Sequence, residues 1–342
     1  MNQVEVNING IMLYCDDSVS QLKIGNKYVV CKQYFNNLSY KNAIVDGTGQ
    51  INPGYLGSLL QDNSGKRYFM CIHKSDCIEI KEPRSDQSRI FITTDMCEGE
   101  GQLAQYKQQE MEYLHMVFSL LRIFKSGNIG PLDIFFDFNF TLYGTIKCNP
   151  KMKNYHFDRN IIDNRLFTLE KDEEVACNFF IKEYIGIPYF QLKNCIDKFI
   201  WGLEQADYAT GFEQYISTLE MLLLKHGENK KIPLAKRVAV LLGTEINQTR
   251  ELYEKMKELY KYRSESVHEG NVTQITANLN HELENITRNV IEKCLRRFKD
   301  DSNQNNNIQW KDVKNNQIEE LKEKVRVANE QGVFSDQNQE EK

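Results

Sequence analysis

Arg263 and His268 stand five positions apart in segment 260–270, at the end of a stretch with a helical pattern. Arginine binds phosphate through a planar fork of N–H donors and keeps its charge at any working pH. Histidine gains and loses a proton near neutral pH. Together the two side chains supply the minimum chemistry for cutting a phosphodiester bond without a metal ion. Because so short a motif also arises by chance, its structural context decides its interpretation.

The composition is that of an ordinary globular protein and excludes some classes of partner. The chain has 342 residues, enough for two or three domains, with 41% hydrophobic and 27% charged residues. The net charge of −5 counts against a protein that coats nucleic acid by charge alone, but not against an enzyme that binds one or two phosphates. No apolar run approaches the ~18 residues of a membrane span, and no signal peptide is visible. We therefore expect a cytoplasmic protein with no membrane partner.

The nine cysteines predict reduced thiols and no metal centre. No two of them form a Cys-x-x-Cys pair, and their number is odd, which favours a reducing compartment over a disulfide framework. Cys71 and Cys77, with His73 between them, come closest to a metal cluster. We interpret these two cysteines as buried apolar residues at strand ends.

The first half of the chain has mainly the two-residue period of β-strands. This alternation places one set of side chains on one face: Val4, Val6 and Ile8. Short apolar runs of strand length follow at 28–31, 68–72 and 90–92. Turn residues separate them at 46–47, 52–54 and 63–65. A helical period over 102–125 then gives way to another alternating strand with Phe136, Phe138 and Phe140.

After Pro188 the apolar residues follow a helical period in successive stripes, which is typical of helices that face a common core. Pro233 opens one helix, and Thr244 or Asn247 is the expected N-cap of the next. The sequence thus predicts an α+β fold, with an N-terminal β-rich region followed by a C-terminal antiparallel helical bundle. The expected divisions are a β-rich region at 1–97, its continuation with a helix and strands at 98–188, the bundle at 189–299, and a polar tail, partly helical or disordered, at 300–342.

Helical geometry limits what the motif can do within one chain. A five-residue offset rotates a side chain by ~140° around a continuous helix. Arg263 and His268 therefore converge only if the helix ends near Val267 or if two chains contribute. Gly270 is a plausible helix stop.

Three segments of the helical region resemble the HEPN superfamily, in particular its Apea-like group. Segment 217–223 is similar to the family's Leu-Glu helix, 234–243 to its short Arg-bearing helix, and 259–270 to its Tyr-x-x-Arg-Ser-x-x-x-His-Gly stretch. The resemblance covers about residues 189–299. Glu269 stands as an insertion between the histidine and Gly270, and Ser264 stands where many family nucleases carry Asn, Asp or His.

The resemblance implies a homodimer in which Arg263 and His268 of both chains face one cleft. It also implies a metal-independent endoribonuclease without cofactors, in a toxin or anti-phage setting, with RNA as substrate and a regulatory or defence-system partner. Other members have lost catalysis, so the alternative is a non-catalytic module for dimerisation or for RNA or partner binding. We expect the N-terminal region to sense a trigger or restrain the nuclease.

The catalytic hypothesis gives each motif residue a role. His268 removes the proton from a ribose 2′-hydroxyl, and that oxygen attacks the adjacent phosphorus. Arg263 stabilises charge on the non-bridging oxygens, and a second His268 from the partner chain protonates the leaving 5′-oxygen. The products are a 2′,3′-cyclic phosphate and a 5′-hydroxyl, and DNA is inert because it lacks the 2′-hydroxyl. Ser264 adds a hydrogen bond to the phosphate.

Several neighbours are candidates for supporting roles, each with a structural alternative. Glu220 is expected to orient other groups, or to pair with Arg263 and tie two helices together. Lys236 and Arg237 either contact RNA or form a solvated helix face. Tyr260 is interpreted as a packing residue. A nucleotide-binding regulator is a weaker hypothesis, because 47–49 is too short and ill-placed for a phosphate loop.

Overall fold

The computed structural model describes residues 2–24, 27–38, 44–45, 48, 50–51, 59–80, 101–141, 145–148 and 165–334. The predicted strand at 90–92 and the predicted turns at 46–47 and 52–54 lie outside these residues. The described chain divides into two compact units, with the boundary between Glu183 and Tyr184. The first unit contains the sheet and the second contains most of the helices.

The first unit is built on a seven-stranded antiparallel sheet within the described residues. Its strands are β1 (Asn2–Leu13), β2 (Lys23–Ile24), β3 (Tyr28–Tyr34), β4 (Leu60–Gln61), β5 (Arg67–Ile80), β6 (Gly130–Thr141) and β7 (Thr145–Cys148). The order across the sheet is β2-β3-β5-β1-β6-β7, and β4 pairs with β5. This arrangement confirms the predicted antiparallel sheet and the predicted strand that contains Phe136.

The alternating pattern of β1 determines which face of the sheet is buried. Val4, Val6 and Ile8 are fully buried, whereas Glu5 between them is exposed. Gly10 permits the close approach of β1 to β5, because a Cβ atom there would lie 2.8 Å from Cγ1 of Ile72. The hydrophobic pattern thus sets the register of the central strand.

Helix α1 (Gly101–Phe124) lies between β5 and β6 in the chain, as the helical period over 102–125 predicts. Its buried stripe comprises Leu114, Val117, Leu120 and Leu121, all fully buried. The unit also contains most of helix α2 (Glu173–Tyr184). The sequence predicts helices only after Pro188 in this part of the chain, so it does not predict α2.

A buried hydrogen-bonded network joins α1 to the sheet. The Glu110 carboxylate on α1 accepts hydrogen bonds from Tyr28 Oη at 2.6 Å and from Lys74 Nζ at 2.8 Å. Lys74 also lies 2.9 Å from Asp76 and donates to Tyr106 Oη at 3.2 Å. Both members of the Lys74–Glu110 pair are almost fully buried. Burial and the hydrogen bond to Glu110 raise the pKa of Tyr28, so its hydroxyl remains a donor.

The second unit is helical throughout its regular structure. Its helices are α3 (Ile187–Leu203), α4 (Tyr208–Leu223), α5 (Lys231–Leu242), α6 (Ile246–Glu269), α7 (Ala277–Gln304) and α8 (Trp310–Glu330). The α+β class and the succession of helices in the C-terminal half confirm the coarse prediction. The N-cap of α6 is Glu245, so the prediction of Thr244 or Asn247 is wrong. The backbone N–H and the hydroxyl of Thr244 both donate to the side-chain oxygen of Gln248.

The predicted polar tail contributes an ordered helix to this unit. Helix α8 buries a thin apolar stripe: Trp310, Val313, Ile318, Leu321 and Ala328. Arg297 of α7 binds the carboxylate of Glu320 with two hydrogen bonds, at 3.0 and 2.7 Å. Charged residues surround the stripe, so composition alone made this segment resemble a solvated tail.

None of the eight helices in the described part of the chain offers an apolar segment of the length that a bilayer requires.

Replacing Glu110 with alanine is expected to destabilise the sheet unit by about 3 kcal/mol. The change leaves the buried Lys74 charge with Asp76 as its remaining carboxylate partner and removes the acceptor of Tyr28 Oη. Urea titration followed by circular dichroism measures the effect. Glu112→Ala is the matched control, because Glu112 is exposed on the same helix. Equal midpoints for the two variants would show that the network contributes nothing to stability.

Candidate functional site

Helix α6 positions the motif that the sequence singled out. Its buried face includes Tyr253, Met256, Leu259 and Tyr260, which anchor the helix against the rest of the unit. The helix continues through Glu269 and ends at Gly270, which adopts the left-handed conformation at φ 66°. The Gly270 N–H donates to the carbonyl of Ser266 at 3.1 Å. The predicted helix stop at Gly270 is therefore confirmed.

The motif residues do not share a face of this helix. Arg263 and His268 both lie within continuous α6, so their side chains leave the axis ~140° apart. The helix does not end near Val267, which was the condition for convergence within one chain. That condition for convergence is therefore not met by the helix as it stands.

An aromatic ring lies near the guanidinium of Arg263. Its central carbon lies 6.0 Å from the centre of the Tyr260 ring, at the outer range of a cation–π contact. The side chain is half-buried, and its Nε atom is buried without a hydrogen-bond partner among the described residues. Within that part of the chain, no carboxylate forms an ion pair with Arg263. A buried donor without a partner is costly, but this nitrogen is not accessible to a ligand.

Glu220 binds the tyrosine under Arg263 and not Arg263 itself. Tyr260 Oη donates to Glu220 Oε1 at 2.9 Å, and Lys230 Nζ donates to Glu220 Oε2 at 2.7 Å. Burial, followed by the hydrogen bond to Glu220, raises the pKa of Tyr260 to about 12. The interpretation that Arg263 pairs with Glu220 is thus wrong, and Glu220 holds the ring on which Arg263 rests.

Sequence reasoning missed the positioning role of Tyr260 and the contribution of Lys230. Tyr260 is buried, as a packing residue should be, but it also carries the hydrogen bond to Glu220. Its position three residues before Arg263 places both side chains on one helix face. That spacing was a usable indication in the sequence. Lys230 had none, because it comes from the segment between α4 and α5.

The other two motif residues, His268 and Ser264, differ in solvent exposure. His268 is exposed in the last turn of α6, and Ser264 is half-buried one residue after Arg263. Glu265 is 3.5 Å from Lys261 in an ion pair on the same helix. His268 is therefore open to solvent or to a partner, whereas Arg263 is held in place.

Lys236 and Arg237 are buried, so neither belongs to a solvated helix face, and the alternative that they contact RNA stays a prediction. Arg237 donates two hydrogen bonds to Glu228, at 2.8 and 2.5 Å, and one to the carbonyl of Leu223 at 2.7 Å. These hydrogen bonds lower the pKa of Glu228 to about 2. Lys236 is 1% exposed, and its Nζ lies 5.5 Å from the centre of the Phe334 ring. The helical pattern of a sequence predicts which face of the helix is apolar. It does not predict that a basic side chain is buried together with its partner.

The metal ligands that the sequence considered do not assemble. Cys71 is buried, as expected, but Cys77 is exposed, and His73 bonds Asn9 through Nδ1 at 2.9 Å. Across the described ranges, no three side chains of His, Cys, Asp or Glu are grouped to hold a metal ion. The seven cysteines whose side chains the structure describes form no disulfide with one another, and burial raises the pKa of Cys195 to about 11.

Comparison with protein-family models, with curated protein sequences and with solved structures finds no match to this chain. The resemblance to the HEPN superfamily therefore rests on the motif residues and stays a prediction.

The pair of Arg237 and Glu228 predicts a pH-dependent contribution to stability. Because the pKa of Glu228 is lower in the folded chain than the ordinary 4.5, the contribution is full above about pH 5. It is lost as the pH falls towards 2. We expect Glu228→Gln to cost about 2 kcal/mol at pH 7 and progressively less at lower pH.

Urea titrations of both proteins between pH 7 and pH 3 measure this difference. Glu251→Gln is the matched control, because it removes an exposed carboxylate from α6. A difference between native protein and Glu228→Gln that stays constant over this range would contradict the ion-pair account.

Proposed function

We propose that this protein is a metal-independent endoribonuclease of the HEPN type, with Arg263 binding the scissile phosphate and His268 moving the proton. The observation that carries the proposal is the environment of Arg263. Its guanidinium lies 6.0 Å from the centre of the Tyr260 ring and has no carboxylate partner among the described residues. A structural arginine is normally paired when it is partly buried. Arg263 is instead oriented and left for an anion.

The proposed active site is shared between two copies of the chain. The ~140° between Arg263 and His268 on α6 separates them within one chain, so the cleft forms where two α6 ends meet. Two apolar side chains next to the motif support such a contact, since Val267 is 42% exposed and Val272 is 47% exposed. A second chain that covers them would bring its own motif to the same place.

The chemistry then follows from the two side chains. His268 accepts the proton of the ribose 2′-hydroxyl, and the resulting oxygen attacks phosphorus in line with the leaving 5′-oxygen. Arg263 stabilises the added negative charge on the non-bridging oxygens. The partner's copy of the histidine returns a proton to the 5′-oxygen, which leaves a 2′,3′-cyclic phosphate. Lys230 and Glu220 take no part in this step, but they fix Tyr260 and so the direction of Arg263.

A non-catalytic module for dimerisation, RNA binding or partner binding is the second candidate. One observation favours it: His268 is exposed, and Arg263 leaves another face of the same helix. In that function Arg263 still binds a phosphate or an acidic partner, and His268 has no role. The experiments below separate the two candidates.

His268→Ala is expected to lower RNA cleavage by at least about 100-fold, because it removes the proton acceptor. Arg263→Ala should lower it by a similar factor, because the charge on phosphorus oxygens loses its partner. The assay is cleavage of total RNA and transfer RNA by purified protein in EDTA, with detection of 2′,3′-cyclic phosphate ends. Cleavage in EDTA excludes a requirement for a chelatable metal.

His226→Ala is the control for the loss of a histidine, because His226 is exposed in the segment between α4 and α5. A non-catalytic module predicts no cleavage by any of these proteins and unchanged RNA binding in His268→Ala. Cleavage that persists in His268→Ala would sink the proposal.

Mixing the two inactive variants tests whether the site is shared. Arg263→Ala and His268→Ala each supply the residue that the other lacks, so a mixed dimer contains one Arg263 and one His268 across its interface, but no second histidine to protonate the leaving oxygen. We expect only partial recovery of cleavage after co-refolding or co-expression of the two variants, because the leaving 5′-oxygen then takes its proton from water. Differential tags show whether mixed dimers have formed. If they have formed and cleavage does not recover, Arg263 and His268 of one active site come from the same chain.

A further inference from the structure

A cavity of about 530 Å³ lies between α5 and α8 in the helical unit. It is lined by side chains from the segment before α5 (Glu228, Asn229), from α5 (Ile232, Pro233, Lys236, Arg237) and from α8 (Lys322, Val325, Arg326, Asn329). The volume falls within the ~300–1,000 Å³ that is usual for small-molecule sites. Neither Arg263 nor His268 lines this cavity, so it is distinct from the motif.

Basic side chains dominate the lining. Four of the lining residues are Lys or Arg, and the only carboxylate among them is Glu228. That carboxylate is already occupied, because Arg237 binds both of its oxygens. The lining itself therefore has three more cations than carboxylates, since 4 − 1 = 3, and the carboxylates that pair with Lys322 and Arg326 lie outside the cavity.

The cations on the α8 side are available to a ligand. Lys322 pairs with Glu319 at 3.2 Å, and Arg326 pairs with Glu323 at 2.6 Å and also with Glu330. These three carboxylates are more than half exposed and do not line the cavity. Exposed pairs on one helix contribute little, so a multiply charged anion can displace them.

The N-terminal end of α5 adds partial positive charge beside the cavity. Its N-cap, Lys230, forms no side-chain capping bond, and the first helical hydrogen bond is donated by Leu234 to the Lys230 carbonyl. The N–H groups before Leu234 are therefore not used within the helix. Ile232 and Pro233, from this first turn, line the cavity. The positive end of the helix dipole thus lies at its wall.

We propose that this cavity binds a small organic phosphate. Its phosphate groups contact Lys322, Arg326 and Lys236, and the rest of the molecule packs against the apolar wall of Ile232, Pro233 and Val325. Arg237 and Glu228 keep the wall in shape, because their bidentate pair joins α5 to the preceding segment. An uncharged molecule of the same shape lacks the interaction that the cations supply.

Isothermal titration calorimetry of the full chain with ADP and with pyrophosphate tests the proposal. Both probes are expected to bind with one site per chain, whereas adenosine, which lacks phosphate, does not. The double variant Lys322→Gln/Arg326→Gln should weaken ADP binding at least about 10-fold, because two charged hydrogen bonds are lost. Lys236→Met should also abolish binding. The double variant changes only the surface and does not depend on how the core tolerates a new side chain.

Lys311→Gln/Arg296→Gln is the matched control, since it removes one exposed lysine and one exposed arginine that do not line the cavity. Unchanged affinity in this control with weakened affinity in the cavity variant supports the site. Equal weakening in both would show an effect of net charge and overturn it. The proposal is also overturned if neither ADP nor pyrophosphate binds to the native protein. It is overturned as well if a short RNA binds instead of these two probes and the cavity variant loses that RNA binding. RNA cleavage at the native rate by the cavity variant would separate this site from the nuclease motif.

Discussion

The two hydrogen bonds of the Glu220 carboxylate determine how the helical unit presents its functional residues. One oxygen accepts from Tyr260 of α6, and the other accepts from Lys230, the residue that precedes α5. The side chain of Glu220 is only 12% exposed, so its charge needs both partners. The carboxylate therefore joins α4 to α6 and to the residue before α5, and it binds the tyrosine whose ring lies 6.0 Å from the Arg263 guanidinium.

The sequence predicted an element correctly where a periodic pattern, or the conformation of a single residue, determines it locally. The alternation of Val4, Val6 and Ile8 predicted β1, and Gly270 predicted the end of α6, because a glycine readily adopts the left-handed conformation that ends a helix. It was insufficient where the outcome depended on distant partners. Helix α8 carries so thin an apolar stripe among charged residues that its burial depends on α5 and α7, which no local pattern reveals.

The same distinction applies to the candidate site. The order Arg263–His268 and the helical context were visible in the sequence. The partner of each charge was not: Lys236 and Arg237 read as surface residues, but Arg237 joins Glu228 nine positions away, and Lys236 lies near Phe334. Basic side chains have long apolar stems that pack inside a protein when a partner receives the charged end. The choice of that partner is made by the tertiary structure.

The Tyr260 ring near Arg263 is neutral at physiological pH, as it would be at the ordinary tyrosine pKa of about 10. A phenol that ionises only near pH 12 stays neutral at every pH at which cells function, so the ring beneath the guanidinium never becomes a phenolate. It therefore supports Arg263 sterically and through its π-electrons, without acting as a counter-ion. Within the described residues no carboxylate pairs with Arg263, so the contact with this neutral ring is not part of an ion pair.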